Sequence, residues 1–459
     1  MERLVRVPIG HVWIRTQVFQ SCTHLPLRPH QQLPTSPAVH RPSPPHTRPS
    51  VSDVSSDPIA PDTSSATGSI DRSIVIVGGG FGGLYTALAL AQHRDHPPIL
   101  LIEPNERFVF QPLLYELLSE EMRSWEIAPR YDSLLASRGI AWLQDRVDQV
   151  DTEQHTLKTR SGHELRYGRL VIASGGQPAT FNVPGALEHA LFFRTLHDVE
   201  RLQGLVRQLR QQALPLQRLA IVGAGPSGVE LACKLADLLG GSTLIELIEQ
   251  GEDLLPQARS FNREQARLAL QRRDVRLRCR NRVRAIHPGG LDLLLPEPGN
   301  EAGRQERLPA EAVIWTAGFQ ARPPALNPPV PGDRLGRLPG QPDLRLQGHH
   351  DVFVIGDGAH VADEDGEPFP ANAQVAFQQA PCLAANLLHS LAGEPLDSFH
   401  WNDLGEMISL GLGEASLTGG GFTLAGAAAF QLRRLAYLTR LPGLPLQLKV
   451  AAGWLTDGR

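Results

Sequence analysis

Residues 73–92 read SIVIVGGGFGGLYTALALAQ, and residues 218–239 repeat the same grammar as RLAIVGAGPSGVELACKLADLL. Each is a β-branched run, then a glycine cluster, then residues that favour a helix. A run without polar–apolar alternation reads as a strand buried on both faces. The glycines meet three backbone needs in turn: a tight turn, close approach to a bound group, and close packing of helix on strand. These needs account for Gly78, Gly80 and Gly83, with Phe81 and Gly82 between them. They account equally for Gly223, Gly225 and Gly228, with Pro226 and Ser227 between them. The helix that follows aims its N-terminal N–H groups and positive dipole end back at the turn, which suits a pyrophosphate.

A second strand follows each copy. PILLIEPN (98–105) carries Glu103, 20 residues after Gly83, and TLIELIEQ (243–250) carries Glu249, 21 residues after Gly228. A carboxylate there can take the hydroxyls of an adenosine ribose. Two complete fingerprints in one chain imply two different dinucleotides, and FAD with NADH or NADPH is the pair that a hydride transfer needs. Glu249 would hydrogen-bond a free 2′-hydroxyl and repel a 2′-phosphate, which favours NADH. A third signal is DVFVIGDGAH (351–360): a strand ends at Gly356, and Asp357 sits where a carboxylate can reach a ribityl hydroxyl. The helix expected from about Asn372, with Ala373 and Gln374 at its start, would aim its positive end at a flavin ring.

Composition bounds the rest. A chain of 459 residues suits two or three domains. A net charge of −4 gives no reason to invoke nucleic acid. Cys22, Cys233, Cys279 and Cys382 lie far apart, against a disulfide framework or a metal site. No run of about 18 apolar residues appears, so no transmembrane helix is expected. Residues 1–72 are rich in Pro, Ser and His and are expected to be disordered, as a transit peptide or a stretch upstream of the true start.

These motifs, in this order, resemble the FAD/NAD-linked pyridine-nucleotide oxidoreductases over residues 73–395. Ala173, Ser174 and Gly175 match the family's first ATG turn, and Thr316, Ala317 and Gly318 match the second. The resemblance implies an α/β fold with two Rossmann-type domains, an FAD domain (73–190 and 320–395) split by an inserted NAD(P)H domain (191–319). Disulfide reductases of the family carry CxxxxC or CxxC beside the flavin; neither occurs here, so the acceptor is not a disulfide. NAQVAFQQAP (372–381) resembles the AQxxxQ motif of type II NADH:quinone dehydrogenases, as does FVFQPLLYELLSEE (108–121). Gln374 and Gln378, at i and i+4 on one helix face, would hydrogen-bond a quinone carbonyl. Glu230 matches the glutamate of that family's GxE motif and would carry a proton beside the nicotinamide or the flavin edge.

Residues 396–459 form a Gly- and Leu-rich block. Arg433, Arg434, Arg440, Lys449 and Arg459 alternate with leucines and Trp454. The expectation is an amphipathic helical anchor, with Leu432, Leu435 and Leu438 on the membrane side and Arg433 and Arg440 at headgroup level. Phe430 and Tyr437 fall off that apolar side. Packing on the protein's own core or on a second copy is the alternative. LRRLAYLTRLPG (432–443) and QLKVAAGWLT (447–456) resemble the cyanobacterial and chloroplast branch, whose members reduce prenylated naphthoquinones, including demethylphylloquinone. The resemblance implies a peripheral, non-pumping NAD(P)H:quinone oxidoreductase on a cytoplasmic or stromal membrane face. A sulfide:quinone oxidoreductase, a reductase of a small redox protein, and a non-catalytic nucleotide-sensing flavoprotein remain as alternatives.

Overall fold

The structure, a computed structural model, describes residues 73–212, 217–297 and 300–456. The expectations for residues 1–72 with Cys22, and for Arg459, lie outside the described residues.

Two parallel sheets, each of five strands, organise the described chain. The first runs in the order Val352–Val354, Arg169–Ile172, Ile74–Val77, Ile99–Ile102, Ile140–Leu143. The second runs Arg276–Arg278, Thr243–Ile248, Gln217–Val222, Ala312–Trp315, Ala190–Leu191. The chain thus leaves the first sheet after Ile172, builds the second, and returns with Val352–Val354 alongside Arg169–Ile172. All four residues of Ile74–Val77 are buried, as a central parallel strand covered on both faces requires. One cover is helix α1 (Phe81–Leu90). In the second sheet, helix α2 (Pro226–Leu239) follows the strand Gln217–Val222. Helix α3 (Ala373–Ala392), capped by the Asn372 side chain on Val375 N–H, packs against α1.

The two passages between the sheets pair with each other. Gly176–Pro178 and Phe319–Ala321 form an antiparallel ribbon. A Cβ on Gly176 would stand 2.1 Å from the Phe319 ring, and one on Gly318 2.3 Å from the Phe181 ring. Each passage therefore lays an aromatic ring on a glycine of the other.

The C-terminal block opens with an antiparallel sheet, Glu406–Ser409, Ala415–Gly419 and Phe422–Gly426, and ends in helices α4 (Ala427–Leu438) and α5 (Leu444–Thr456). Its facing corrects the expected place of Arg433, which was read at headgroup level. Phe430, Arg433 and Arg434 point inward, 5%, 1% and 7% exposed, while Leu432 and Leu435 point outward. Arg433 is not at a surface, because Glu116 waits for it inside. Arg434 stacks on Trp454, and the Trp454 indole N–H donates to Glu126 at 3.1 Å. Tyr437 packs against Phe110. Leu432 and Leu435 are exposed, on the side where they were expected, and Leu444, Leu448 and Leu455 are exposed with them. No helix among the described residues is long and apolar enough to cross a membrane.

Backbone crowding at the glycine loops yields a stability test. A Cβ on Gly83 would lie 1.9 Å from the Gly78 carbonyl oxygen, whereas one on Gly80 would meet nothing within 4 Å. Gly83→Ala should therefore cost ~3 kcal/mol or more, because both partners are backbone and neither can step aside. Gly80→Ala should cost no more than ~1 kcal/mol in the folded chain. Denaturant unfolding of the two variants is the measurement.

Candidate active site

The two glycine loops are built alike. Gly78 and Gly223 adopt φ of +101° and +102°, which side chains other than glycine resist. At each loop the acid that ends the second strand reaches back to the turn. Glu103 accepts from Gly79 N–H at 2.7 Å and from Asn105 N–H at 2.9 Å. Glu249 accepts from Ala224 N–H at 2.8 Å and Gly251 N–H at 2.7 Å. Both carboxylates are held at the mouth of a loop whose helix points its N-terminus there. Tyr131, which sequence reading passed over, locks the first loop by donating to the Gly79 carbonyl at 2.7 Å.

A cavity of about 490 Å³ opens over the first loop. Gly78 to Gly82 line it together with Glu103, Ala173, Gly175, Asp357 and Ala373, residues spread over nearly 300 positions of sequence. A Cβ on Gly80 or Gly175 would meet no protein atom, so these glycines leave room for a ligand to approach the backbone. Burial pushes the Asp357 carboxyl up, and Arg194, another lining residue, offsets this in part. Gln379, buried at 2%, accepts from Gly356 N–H at 2.9 Å and so positions the Asp357 turn. A long, acid-ended, helix-capped cavity of this kind fits a flavin dinucleotide.

A second cavity of about 400 Å³ adjoins it, sharing Phe81, Gln111 and Ala373. Pro226, Ser227 and Glu230 enter from the start of α2, Gln374 from the start of α3, and Tyr437 and Arg440 from the C-terminal helix and the turn after it. The two expected nucleotide loops therefore converge on one space. Among the expected residues, Gly223, Gly225, Gly228, Glu249, Ala317 and Gly318 are not on its walls. They belong to the second glycine loop, where the Gly223 turn lies against Ala317.

Two of the candidate catalytic side chains are already engaged. The Gln374 amide donates to Gly405 O at 3.1 Å and accepts from Leu404 N–H at 2.9 Å. The Gln378 amide donates to Asn402 O at 2.9 Å and accepts from Asn402 N–H at 3.1 Å. The AQxxxQ-like pair thus pins the loop 401–405, and only Gln374 reaches the cavity wall.

Glu230 is different. It is 8% exposed, and burial raises its carboxyl to about 7, against the opposing pull of Arg433 and the Ser409 N–H. Glu116 and Tyr115 beside it were not singled out in the sequence, and Arg433 was read there as a headgroup-level residue, not as a partner of Glu230. Glu116 and Arg433 lie 317 positions apart, and neither stands in a recognisable spacing with Glu230.

The comparisons agree with this geometry. The sequence profile of the pyridine nucleotide-disulphide oxidoreductase family matches residues 72–380. Demethylphylloquinone reductase NdbB of Synechocystis sp. is 39% identical over 83% of this chain and 95% of its own length. The alternative NAD(P)H-ubiquinone oxidoreductase C1, chloroplastic/mitochondrial, of Arabidopsis thaliana is 33% identical over 88% of this chain and 84% of its own. Among solved structures, NDH2 from Plasmodium falciparum in complex with NADH superposes with a TM-score of 0.73 at 18% identity, covering 82% of this chain and 96% of that one. The chain therefore belongs to the pyridine nucleotide-disulphide oxidoreductase family, among its type II NAD(P)H:quinone oxidoreductases.

The buried carboxyl gives a pH test. An acid whose folded value stands near 7, against 4.5 unperturbed, favours the protonated form in the folded state. Its contribution to stability is present below about pH 4.5 and lost as pH rises through about 7. Glu230→Gln should therefore gain stability relative to the wild type between pH 5 and pH 8, by roughly 3 kcal/mol at most. Parallel unfolding curves at the two pH values check it. An unchanged difference would mean that Glu230 does not titrate in this window.

Proposed function

We propose that this chain passes a reducing pair from NADH, through bound FAD, to a membrane quinone of the prenylated naphthoquinone class. The observation that supports it best is the convergence of both glycine-loop helices, Glu230 and the start of α3 on one cavity beside the first.

In this reading Gly78, Gly80, Phe81 and Gly82 cradle the FAD pyrophosphate, and Gly83 lets the helix pack closely behind them. Glu103 takes the ribose, Asp357 the ribityl chain, and Ala173, Gly175 and the α3 N-terminus at Ala373 and Gln374 surround the ring. When bound, FAD supplies a hydride acceptor and a two-electron donor. Gly223, Gly225, Pro226, Ser227 and Gly228 hold the nicotinamide dinucleotide, with Ala317 and Gly318 behind them and Glu249 on its ribose. Residues 320–395 rejoin 73–190 as the FAD domain, and 191–319 form the NAD(P)H domain. Glu230, poised near neutrality, exchanges a proton at the acceptor cavity. Gln374 and Gln378 shape that cavity by fixing the 401–405 loop.

Among the described residues, thiol chemistry does not compete. Burial pushes the thiols of Cys233 and Cys382 up to about 12 and 11, so neither offers a thiolate at neutral pH. Burial raises the Cys279 thiol as well. The likeness to the sulfide:quinone oxidoreductase of Aquifex aeolicus, with a TM-score of 0.67 and 18% identity, is one of fold. A lipophilic acceptor needs access from a bilayer, and α4, which turns Leu432 and Leu435 outward, also contributes Tyr437 to the acceptor cavity. The membrane surface is thus the partner we assign to that face.

Purified protein with a flavin spectrum should oxidise NADH with a naphthoquinone analogue as acceptor; folded, flavin-bearing protein without turnover would refute the reading. Glu249→Gln should weaken NADH by roughly 1.5–3 kcal/mol and move preference toward NADPH, read as the ratio of kcat/KM values. Replacing Leu435, Leu448 and Leu455 together by Gln should lower liposome co-sedimentation and long-chain quinone activity while soluble-quinone activity persists. If both activities fall in parallel, the leucine face serves packing or dimerisation.

A further inference from the structure

The Arg433 guanidinium is almost wholly buried, yet α4, which carries it, turns leucines outward on the opposite side. Its Nη1 pairs with Glu116 Oε1 at 2.5 Å, and its Nη2 donates to the Pro112 carbonyl at 2.7 Å. The same Nη2 stands 3.8 Å from Glu230 Oε1. Glu116 is fully buried, and its second oxygen has no hydrogen-bond partner among the described residues. Groups facing Glu230 are Tyr115 and Glu116 from the short helix Leu114–Leu118, with Ser227 of α2 bonded to Tyr115, Cys233 from α2, the Ser409 N–H, and Arg433 and Tyr437 from α4.

Two carboxylates and one guanidinium share a water-poor space. With both acids ionised the cluster carries one uncompensated negative charge, which burial penalises heavily. One proton therefore belongs to the pair. The distances decide where it sits. Glu116 holds the direct ion pair, whereas Glu230 is farther from the guanidinium and lines the cavity.

We propose that Arg433 is a positioning residue for the acceptor half of the reaction: by pairing with Glu116 and only leaning on Glu230, it makes Glu230 the carboxyl that exchanges a proton with the cavity. This rests on the proposed function. A quinone takes up two electrons and two protons to become a quinol. NADH, by way of FAD, supplies a hydride, which is both electrons and one hydrogen, and the second proton leaves the Glu230 carboxyl for a quinone oxygen, so that NADH, quinone and one solvent proton give NAD+ and quinol. Solvent then reprotonates Glu230. The arrangement also places the proton-carrying group one ion-pair network away from the helix whose outer face we assign to the membrane.

The test uses the full flavin-loaded chain. Infrared titration follows the buried carboxyl band that Glu230→Gln abolishes. Glu116→Gln removes a neighbouring negative charge, so Glu230 should titrate at lower pH. The double variant Arg433→Met with Glu116→Gln leaves no buried charge unpaired and removes the stronger, lowering influence, so Glu230 should titrate higher, by on the order of one pH unit. The pH limb of naphthoquinone reduction should move with the same two signs. A merely structural role would alter stability without opposite shifts. If folded variants leave the band unmoved, or both move it the same way, the assignment to Arg433 fails. If the variants show the expected band shifts but the wild type reduces no quinone, the proposed function falls while the Arg433–Glu230 coupling stands.

Discussion

Backbone-on-backbone contact at the two glycine loops is the constraint from which the rest of the molecule follows. Gly83 lies on the carbonyl of Gly78, and Gly228 lies on that of Gly223, each closer than a side chain allows. Only that contact brings a helix N-terminus directly beyond the end of a central parallel strand, where its free N–H groups can meet an anion. Repeated in both sheets, it aims two helix starts at neighbouring cavities. The ribbon of Gly176–Pro178 and Phe319–Ala321 then holds the two sheets in mutual register, again by setting rings on glycines.

The C-terminal block closes the space between those helix starts, and it does so with charge. Backbone N–H groups of Ser409, Leu412 and Gly413 donate to Glu230, Asp237 and Glu121. Lys234, fully buried on α2, pairs with Glu121, and Arg273 clasps Asp237 at 2.7 Å. Arg433 adds the pair with Glu116. Breaking a buried pair of this kind by removing one partner costs about 3–5 kcal/mol, so the block is anchored by a few specific contacts and not by leucine packing alone. Leu410, Leu417 and Leu441 pack inside it, and Leu432, Leu435, Leu444, Leu448 and Leu455 are left for the outer surface.

This division explains which site residues could be read and which could not. Glycines, strand-end acids and the Asp357 turn report on local backbone demands, and local demands leave a spacing in the sequence. Gln374 and Gln378 also stand at a legible helical spacing. Spacing places them on one face but does not say what meets that face, and here it is the backbone of residues 401–405. The arginines of α4 show the same limit. A helical wheel sorts leucine from arginine by polarity, and Arg433 turns inward because a buried carboxylate 317 positions earlier receives it.

The sequence by itself determined the two strand–glycine–helix units, their acids, the return strand before Asp357 and the absence of a paired thiol. Each follows from a backbone or chemical requirement contained within a few consecutive residues. Tertiary structure alone decided that Glu230, Glu116 and Arg433 share one buried site, that the glutamines hold a loop, and that α4 turns Arg433 and Arg434 inward. Those outcomes depend on which distant segments supply partners for buried charge and unpaired amides. No local pattern encodes that choice, because the energy of a buried ion is set by what surrounds it in space.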